Sequence, residues 1–289
     1  MVTFDYDMAF SRVVGWITLA EQALLRDSCI SIAGMGGVGG SYAISLARLG
    51  VGKFKIADFD IFETHNVNRQ IGAFISTLGK PKAEVIKNMI LDINPTAIVE
   101  VYEKGIVQDN VDSFLEGSMM YIDGLDLFCI IEREQVFRRA YELGIPATTV
   151  APVGAGSVTV NFMPNKMSFD DFFGTYRESD LQKKMICFAI GMTLNSKHLK
   201  YICDSEAINL KDKSLPSLIC GIQSATAVMT TEVFKILLNR GQVFPAPYVV
   251  NYDPYLNRYK RSYIFLGSKN PWFLIKKYFA NKLFFKDNP

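Results

Sequence analysis

Five positions, 66 to 70, read NVNRQ and gather Asn66, Arg69 and Gln70 in little more than one turn of chain. Arginine presents rigid, always-charged donors that suit phosphate, and the two amides add neutral hydrogen bonds. Lys82 follows in GKPKAE, and Asp126 lies in YIDGLD. An arginine, a lysine and a carboxylate able to hold Mg2+ are what a nucleoside triphosphate site needs to balance charge at the β and γ phosphates. A hydride-transferring enzyme on a similar scaffold needs none of this set.

A second constellation lies upstream. GMGGVGG (34–40) fits G-x-G-x-x-G at Gly34, Gly36 and Gly39, between a strand-like CISIAG and a helix-like SYAISLARL. Glycines there let backbone N–H groups approach phosphate, and the helix N-terminus adds positive potential. Asp58 ends the next apolar run, KFKIAD, 19 residues after Gly39, where an acid reaches a ribose hydroxyl. The loop by itself does not choose between nucleotides, since NAD-linked and adenylating enzymes share it. Arg69, eleven residues past Asp58, is what separates them.

The elements that must position these residues follow from periodicity. Strands are expected at 29–34, 53–58, 98–102, 119–123 and 145–150, with helices at 41–49, 80–93 and 132–143 between them. Pro81 stands in the first turn of the second of these helices. Such alternation means βαβ units, and Asp126 then falls on the carboxyl edge of the sheet, where open α/β sheets bind ligands. Residues 157–163 alternate as a strand, 222–238 form a long helix, and 248–252 and 258–265 close as antiparallel strands. The expected fold class is α/β: a Rossmann-like, mostly parallel sheet with helices on both faces, extended by antiparallel strands. Along the chain this gives an N-terminal helical segment (1–28), a nucleotide-binding half (29–164), a crossover or insertion (165–215), a second half (216–266) and a basic, aromatic C-terminal helix (267–289).

Composition sets limits. With 49% hydrophobic and 21% charged residues, the 289-residue chain is globular. A formal net charge of +2 argues against nucleic acid as the main partner. The charge is uneven, because residues 255–289 carry eight basic residues and one acid, net +7, which leaves −5 for residues 1–254. The five cysteines show no C-x-x-C pair, so neither a disulfide framework nor a zinc site is expected. The acidic start MVTFDYDMAF lacks the features of a signal peptide, and no apolar run reaches the roughly 18 residues of a membrane span. A cytoplasmic location is the expectation.

Taken together, the run GMGGVGG–DFD–NVNRQ–GKPKAE–INP–DGLD resembles the ThiF/MoeB/HesA family, the bacterial relatives of ubiquitin-activating enzymes, over about residues 8 to 240. The resemblance implies ATP-dependent adenylation of a carboxylate, often the C-terminus of a ubiquitin-like sulfur carrier or a peptide. It implies that Gly34, Gly36, Gly37 and Gly39 hold phosphates, that Asp58 and Asp60 in DFD serve the nucleotide, and that Arg69 and Lys82 stabilise departing pyrophosphate. Asn66 and Gln70 match the family's phosphate-side amides, and Asp126 would be the Mg2+ ligand. Arg12 matches an arginine that the family sends from a partner subunit onto the γ phosphate, so a homodimer is implied.

The chain lacks the paired C-x-x-C zinc ligands of many members, and no zinc is expected. Some members carry an acyl-accepting thiol; Cys187 and Cys203 are the candidates, with Cys220 beside them, although cysteine is more often a core residue. Three other readings stay open: an NAD-dependent oxidoreductase on the same loop, a tRNA-nucleoside-modifying dehydratase of the same family, and a nucleotide-binding partner without chemistry. Asn270-Pro271 looks like a helix cap and first turn, opening WFLIKKYFANKLFFK. That helix either packs its aromatics on the domain with lysines in water, or docks on a partner or membrane surface.

Overall fold

The structure, a computed structural model, describes residues 3–204 and 215–284. The chain divides into two compact units, one formed by Met1–Leu125 with Thr226–Val243 and the other by Asp126–Ala225 with Phe244–Pro289.

The first unit opens with a short helix α1 (Tyr6–Ala9) and the amphipathic α2 (Leu19–Asp27). Thr18 and Glu21 close a capping box at the start of α2, satisfying donors the helix leaves unpaired. Then follow β1 (Cys29–Ala33), α3 (Gly37–Leu49), β2 (Lys53–Ala57), α4 (Lys82–Ile93), β3 (Ile98–Tyr102), the short α5 (Val111–Leu115) and β4 (Met120–Asp123). The four strands are parallel in the order β3-β2-β1-β4. The apolar run of β1 is buried on both faces at Ile30, Ile32 and Ala33, as a parallel strand covered from both sides requires. The register puts Ala33 beside both Ala57 and Asp123. The three strands therefore end level, and Gly34, Asp58 and Gly124 leave the sheet along one edge. That levelling is what assembles the site.

The second unit begins with α6 (Ile130–Glu142), β5 (Ala147–Val153) and β6 (Gly156–Phe162). The sequence expects its first strand at 145–150; the strand instead runs through Pro152 to Val153, because β5 pairs antiparallel with β6 across a tight hairpin. Helices α7 (Phe169–Phe173) and α8 (Leu181–Thr193) lie in the stretch expected as a crossover or insertion, of which residues 205–214 are outside the described residues. Its order comes from rings: Phe169 stacks on Phe137 at 4.6 Å, and Phe173 meets Phe188 at 4.8 Å. Helix α9 (Ile219–Leu237) contributes to both units, and β7 (Tyr248–Asp253) and β8 (Arg258–Tyr263) complete an antiparallel order β5-β6-β7-β8. These are the Rossmann-like α/β elements expected from the sequence, with parallel strands in the first unit and antiparallel ones in the second.

The C-terminal helix α10 (Pro271–Phe284) is capped as its sequence suggests, with the Trp272 amide donating to Asn270 Oδ1 at 2.9 Å. Its faces are the reverse of an ordinary surface helix. Phe273 is buried, whereas Trp272, Ile275, Tyr278 and Phe279 are exposed, and the lysines between them turn inward. No helix among the described residues is long and apolar enough to cross a membrane.

Candidate functional site

The site grows from the glycine loop of the first unit. Gly34 adopts φ +87, a left-handed conformation open to glycine, and a Cβ there would strike Gly124 O at 2.4 Å. A Cβ on Gly39 would lie 1.7 Å from Gly34 O, because the first turn of α3 presses against the strand end. Both glycines serve close packing. Gly36 differs: its Cβ would meet nothing nearer than Gln70 Nε2, at 3.8 Å. Gly36 is also the N-cap of α3 and offers no side chain to the helix's first amides. Those N–H groups, on a helix of 13 residues without a side-chain cap, leave the positive end of the helix dipole beside the open side of Gly36.

Asp58 ties the loop to the second strand. Its Oδ2 accepts the Met35 amide at 2.6 Å and its Oδ1 accepts the Asp60 amide at 2.7 Å. Each carboxylate oxygen keeps a further lone pair for a ligand hydroxyl. Burial pushes the Asp58 carboxyl up from its ordinary value, against the two amides and Lys82, which pull it down.

Lys82, on the first turn of α4, is buried and carries its ammonium 3.0 Å from Asp60 Oδ2, while its backbone amide donates to Asp60 O. A bridge between Ile61 and Pro81 brings these segments together, and it also moves the start of α4 from the expected residue 80 to Lys82. The pair holds the lysine head in place beside a half-exposed carboxylate.

The NVNRQ segment is a compact turn. Asn66 is buried, and its Oδ1 accepts the Glu63 amide at 2.9 Å; its backbone carbonyl accepts the amides of Arg69 and Gln70. Its visible work is therefore to shape the turn. Arg69 Nη1 donates to His65 O at 2.9 Å and to Asn68 Oδ1 at 3.0 Å, which fixes one edge of the guanidinium within its own turn. Gln70 is 8% exposed, and its Oε1 has no hydrogen-bond partner among the described residues. A buried amide oxygen left unpaired costs on the order of 1–3 kcal/mol; it is the other end of the carboxamide, the Nε2 donor, that faces Gly36.

The structure thus brings Gly36 to Gln70, the loop amide of Met35 to Asp58, and Asp60 to Lys82. Arg12 stands outside this cluster, exposed in the 3-10 turn Ser11–Val13, and forms no hydrogen bond or ion pair among the described residues. Asp126 begins the second unit, exposed, with its Oδ1 accepting the Phe128 amide at 3.1 Å and its carbonyl accepting Arg133 Nη1. No group of three His, Cys, Asp or Glu side chains converges as a metal site among the described residues. Cys187 is buried in α8, and burial pushes its thiol up despite the nearby Lys277; Cys203 and Cys220 are exposed. Gly124 and the Met35 amide are parts of the loop that pattern reading missed. For Gly124 the signal was a glycine placed directly after a strand.

Comparison with known proteins gives the family and the fold. The family model described as ThiF family matches residues 10–271. A tRNA threonylcarbamoyladenosine dehydratase of Bacillus subtilis (strain 168) is 38% identical over 106 residues, 36% of this chain and 42% of that protein. A probable molybdopterin-synthase adenylyltransferase of Porphyra purpurea is 37% identical over 112 residues, 39% of this chain and 29% of that protein. The matched part thus spans less than half the length of these curated relatives. Among solved structures, E. coli MccB with ATP shares the fold at a TM-score of 0.61 and 17% identity, covering 86% of this chain and 65% of that one.

Proposed function

For a chain that belongs to the ThiF family, we propose ATP-dependent adenylation of a substrate carboxylate. A carboxylate oxygen bonds to the α phosphorus as the bond from that phosphorus to the pyrophosphate oxygen breaks. The observation that carries this reading is the open side of Gly36, faced by the Gln70 Nε2 donor at the uncapped N-terminus of α3. This is room and polarity suited to phosphate.

In this reading the amides from Gly36 onward, with Gly37, cradle the phosphates. Gly34 and Gly39 let the helix start close enough for them to do so. Asp58 accepts a ribose hydroxyl. Lys82, held by Asp60, and the free edge of Arg69 stabilise the negative charge that grows on pyrophosphate. Asp126 would hold Mg2+, which is commonly bound through one or two carboxylates with phosphate and water completing its shell. When bound, the ion neutralises phosphate charge. Arg12, exposed and unpaired, would reach the site of a second copy in a homodimer. The substrate carboxylate is the C-terminus of a ubiquitin-like or sulfur-carrier protein or of a peptide. Any acceptor thiol is Cys203 in preference to Cys187, since a buried thiol with a raised pKa is a poor nucleophile.

Calorimetric titration with ATP and Mg2+, run beside NAD+ and NADH, tests the nucleotide. ATP binding without NAD affinity is expected, followed by carboxylate-dependent pyrophosphate exchange; tight NAD binding with weak ATP binding would overturn the reading. A second reading, dehydration of a threonylcarbamoyladenosine nucleoside in tRNA, is favoured by the 38% identity to a named dehydratase. ATP-dependent loss of one water from that nucleoside, seen by mass spectrometry, would establish it in place of a peptide substrate.

A further inference from the structure

Helix α10 shows an apolar face that its own fold does not cover. Phe273 alone among its described aromatic side chains is buried, at 1% exposure, against Trp272 at 68%, Tyr278 at 63% and Phe279 at 62%. Ile275, Tyr278, Phe279 and Lys282 fall at i, i+3, i+4 and i+7, so they share one outward stripe, with Trp272 at its margin. On the opposite side, Lys277 pairs with Glu178 and Lys276 donates to the Leu194 carbonyl. The polar groups clamp the helix to the unit, and the apolar groups face out.

This arrangement is costly for a surface with no partner, since contiguous exposed aromatics mark sites of association. The charge around it selects the occupant. Residues 255–289 carry +7 while residues 1–254 carry −5; with Lys276 and Lys277 turned to the protein, Arg258, Lys260, Arg261, Lys269 and Lys282 are the described cations left to meet a surface. A second copy seated on this helix across a two-fold axis would set one strongly basic segment against another. An anionic lipid surface does the reverse. Lysine and arginine gain roughly 1 kcal/mol each near such a surface, and tryptophan, tyrosine and phenylalanine partition into the interfacial zone. Lys282, within the apolar stripe, can lay its methylenes along it and keep its ammonium among headgroups.

We propose that α10 is a peripheral docking element for anionic membranes, with Trp272, Ile275, Tyr278 and Phe279 entering the headgroup boundary and Lys282, with the basic residues of the segment that are not held by the protein, supplying the attraction. The helix lies in the plane of the surface, its buried face remaining on the protein.

Vesicle co-flotation of the full chain tests this, using phosphatidylcholine alone and phosphatidylcholine mixed with phosphatidylglycerol. Binding is expected only to the mixed vesicles, weakened at high salt. Phe279→Ser and Trp272→Ser are each expected to reduce it at least about tenfold. Both residues are exposed, so the circular dichroism and thermal midpoint of each variant should match the parent. Absence of binding to anionic vesicles would overturn the proposal, as would binding that these substitutions leave unchanged. A shift in oligomeric state on Phe279→Ser, without vesicle binding by the parent, would assign the face to a second copy instead.

Discussion

The Gln70 carboxamide stands against the open side of Gly36: a Cβ on Gly36 would come 3.8 Å from Gln70 Nε2, and Gln70 Oε1, buried, has no partner among the described residues. Three residues further along, Gly39 has no such room. The two glycines of one motif therefore differ, one facing open space and one facing the protein's own backbone.

Substitution at these positions should separate the two. Gly36→Ala is expected to fold with a nearly unchanged thermal midpoint and to bind ATP at least about tenfold more weakly, a loss of ~1.4 kcal/mol. Gly39→Ala drives its methyl into Gly34 O and should cost about 3 kcal/mol or more, or abolish folding. Thermal melts and calorimetry on the two variants check the contrast. Equal effects on both would remove the distinction.

Arg69 and Lys82 are assigned to charge that develops during the reaction. Arg69→Ala and Lys82→Met should each lower pyrophosphate exchange by roughly 10²–10³-fold while ATP binding is largely kept. For Lys82→Met the partner Asp60 is left half-exposed, so stability should change by about 1 kcal/mol or less. A variant that exchanges pyrophosphate at the parental rate would lose its assigned role.

Arg12 supplies a test of assembly. Chains carrying Arg12→Ala and chains carrying Arg69→Ala should each be inactive alone. Mixed and allowed to exchange subunits, they should regain part of the activity, because one site in each heterodimer holds both arginines. Failure to recover activity, with heterodimers shown to form, would place Arg12 outside the site.

Acid should weaken the second unit through His198. Burial depresses this imidazole below its ordinary 6.5, only partly opposed by Asp253, and its Nδ1 lies 2.8 Å from Ser196 Oγ. Between the depressed value and 6.5 the unfolded chain binds more protons than the folded one, so stability rises with pH across that window and is lost as pH falls through it. His198→Asn should flatten this part of the curve of thermal midpoint against pH. An unaltered slope would show that other groups set it.

The sequence by itself determined the parts that depend on local pattern. A glycine-rich turn between an apolar strand and a helix, an acid at the end of the next strand, and a proline-led helix at Asn270 each rest on backbone rules that act within a few residues. The tertiary structure decided how those parts meet. Gly34 is filled because Gly124 arrives from a strand some ninety residues away, Gly39 because the start of α3 folds back onto Gly34 O, and Gly36 is left open. Gln70 reaches Gly36, and Lys82 reaches Asp60, through a turn and a bridge whose closure no periodicity encodes. The faces of α10 were likewise settled by what lay beneath them. Lys276 and Lys277 found a carbonyl and a carboxylate there, Phe273 packed inward, and the other described aromatics of the helix were left outside. Linear spacing fixes which side chains share a face, and only the partner surface fixes which face is inward.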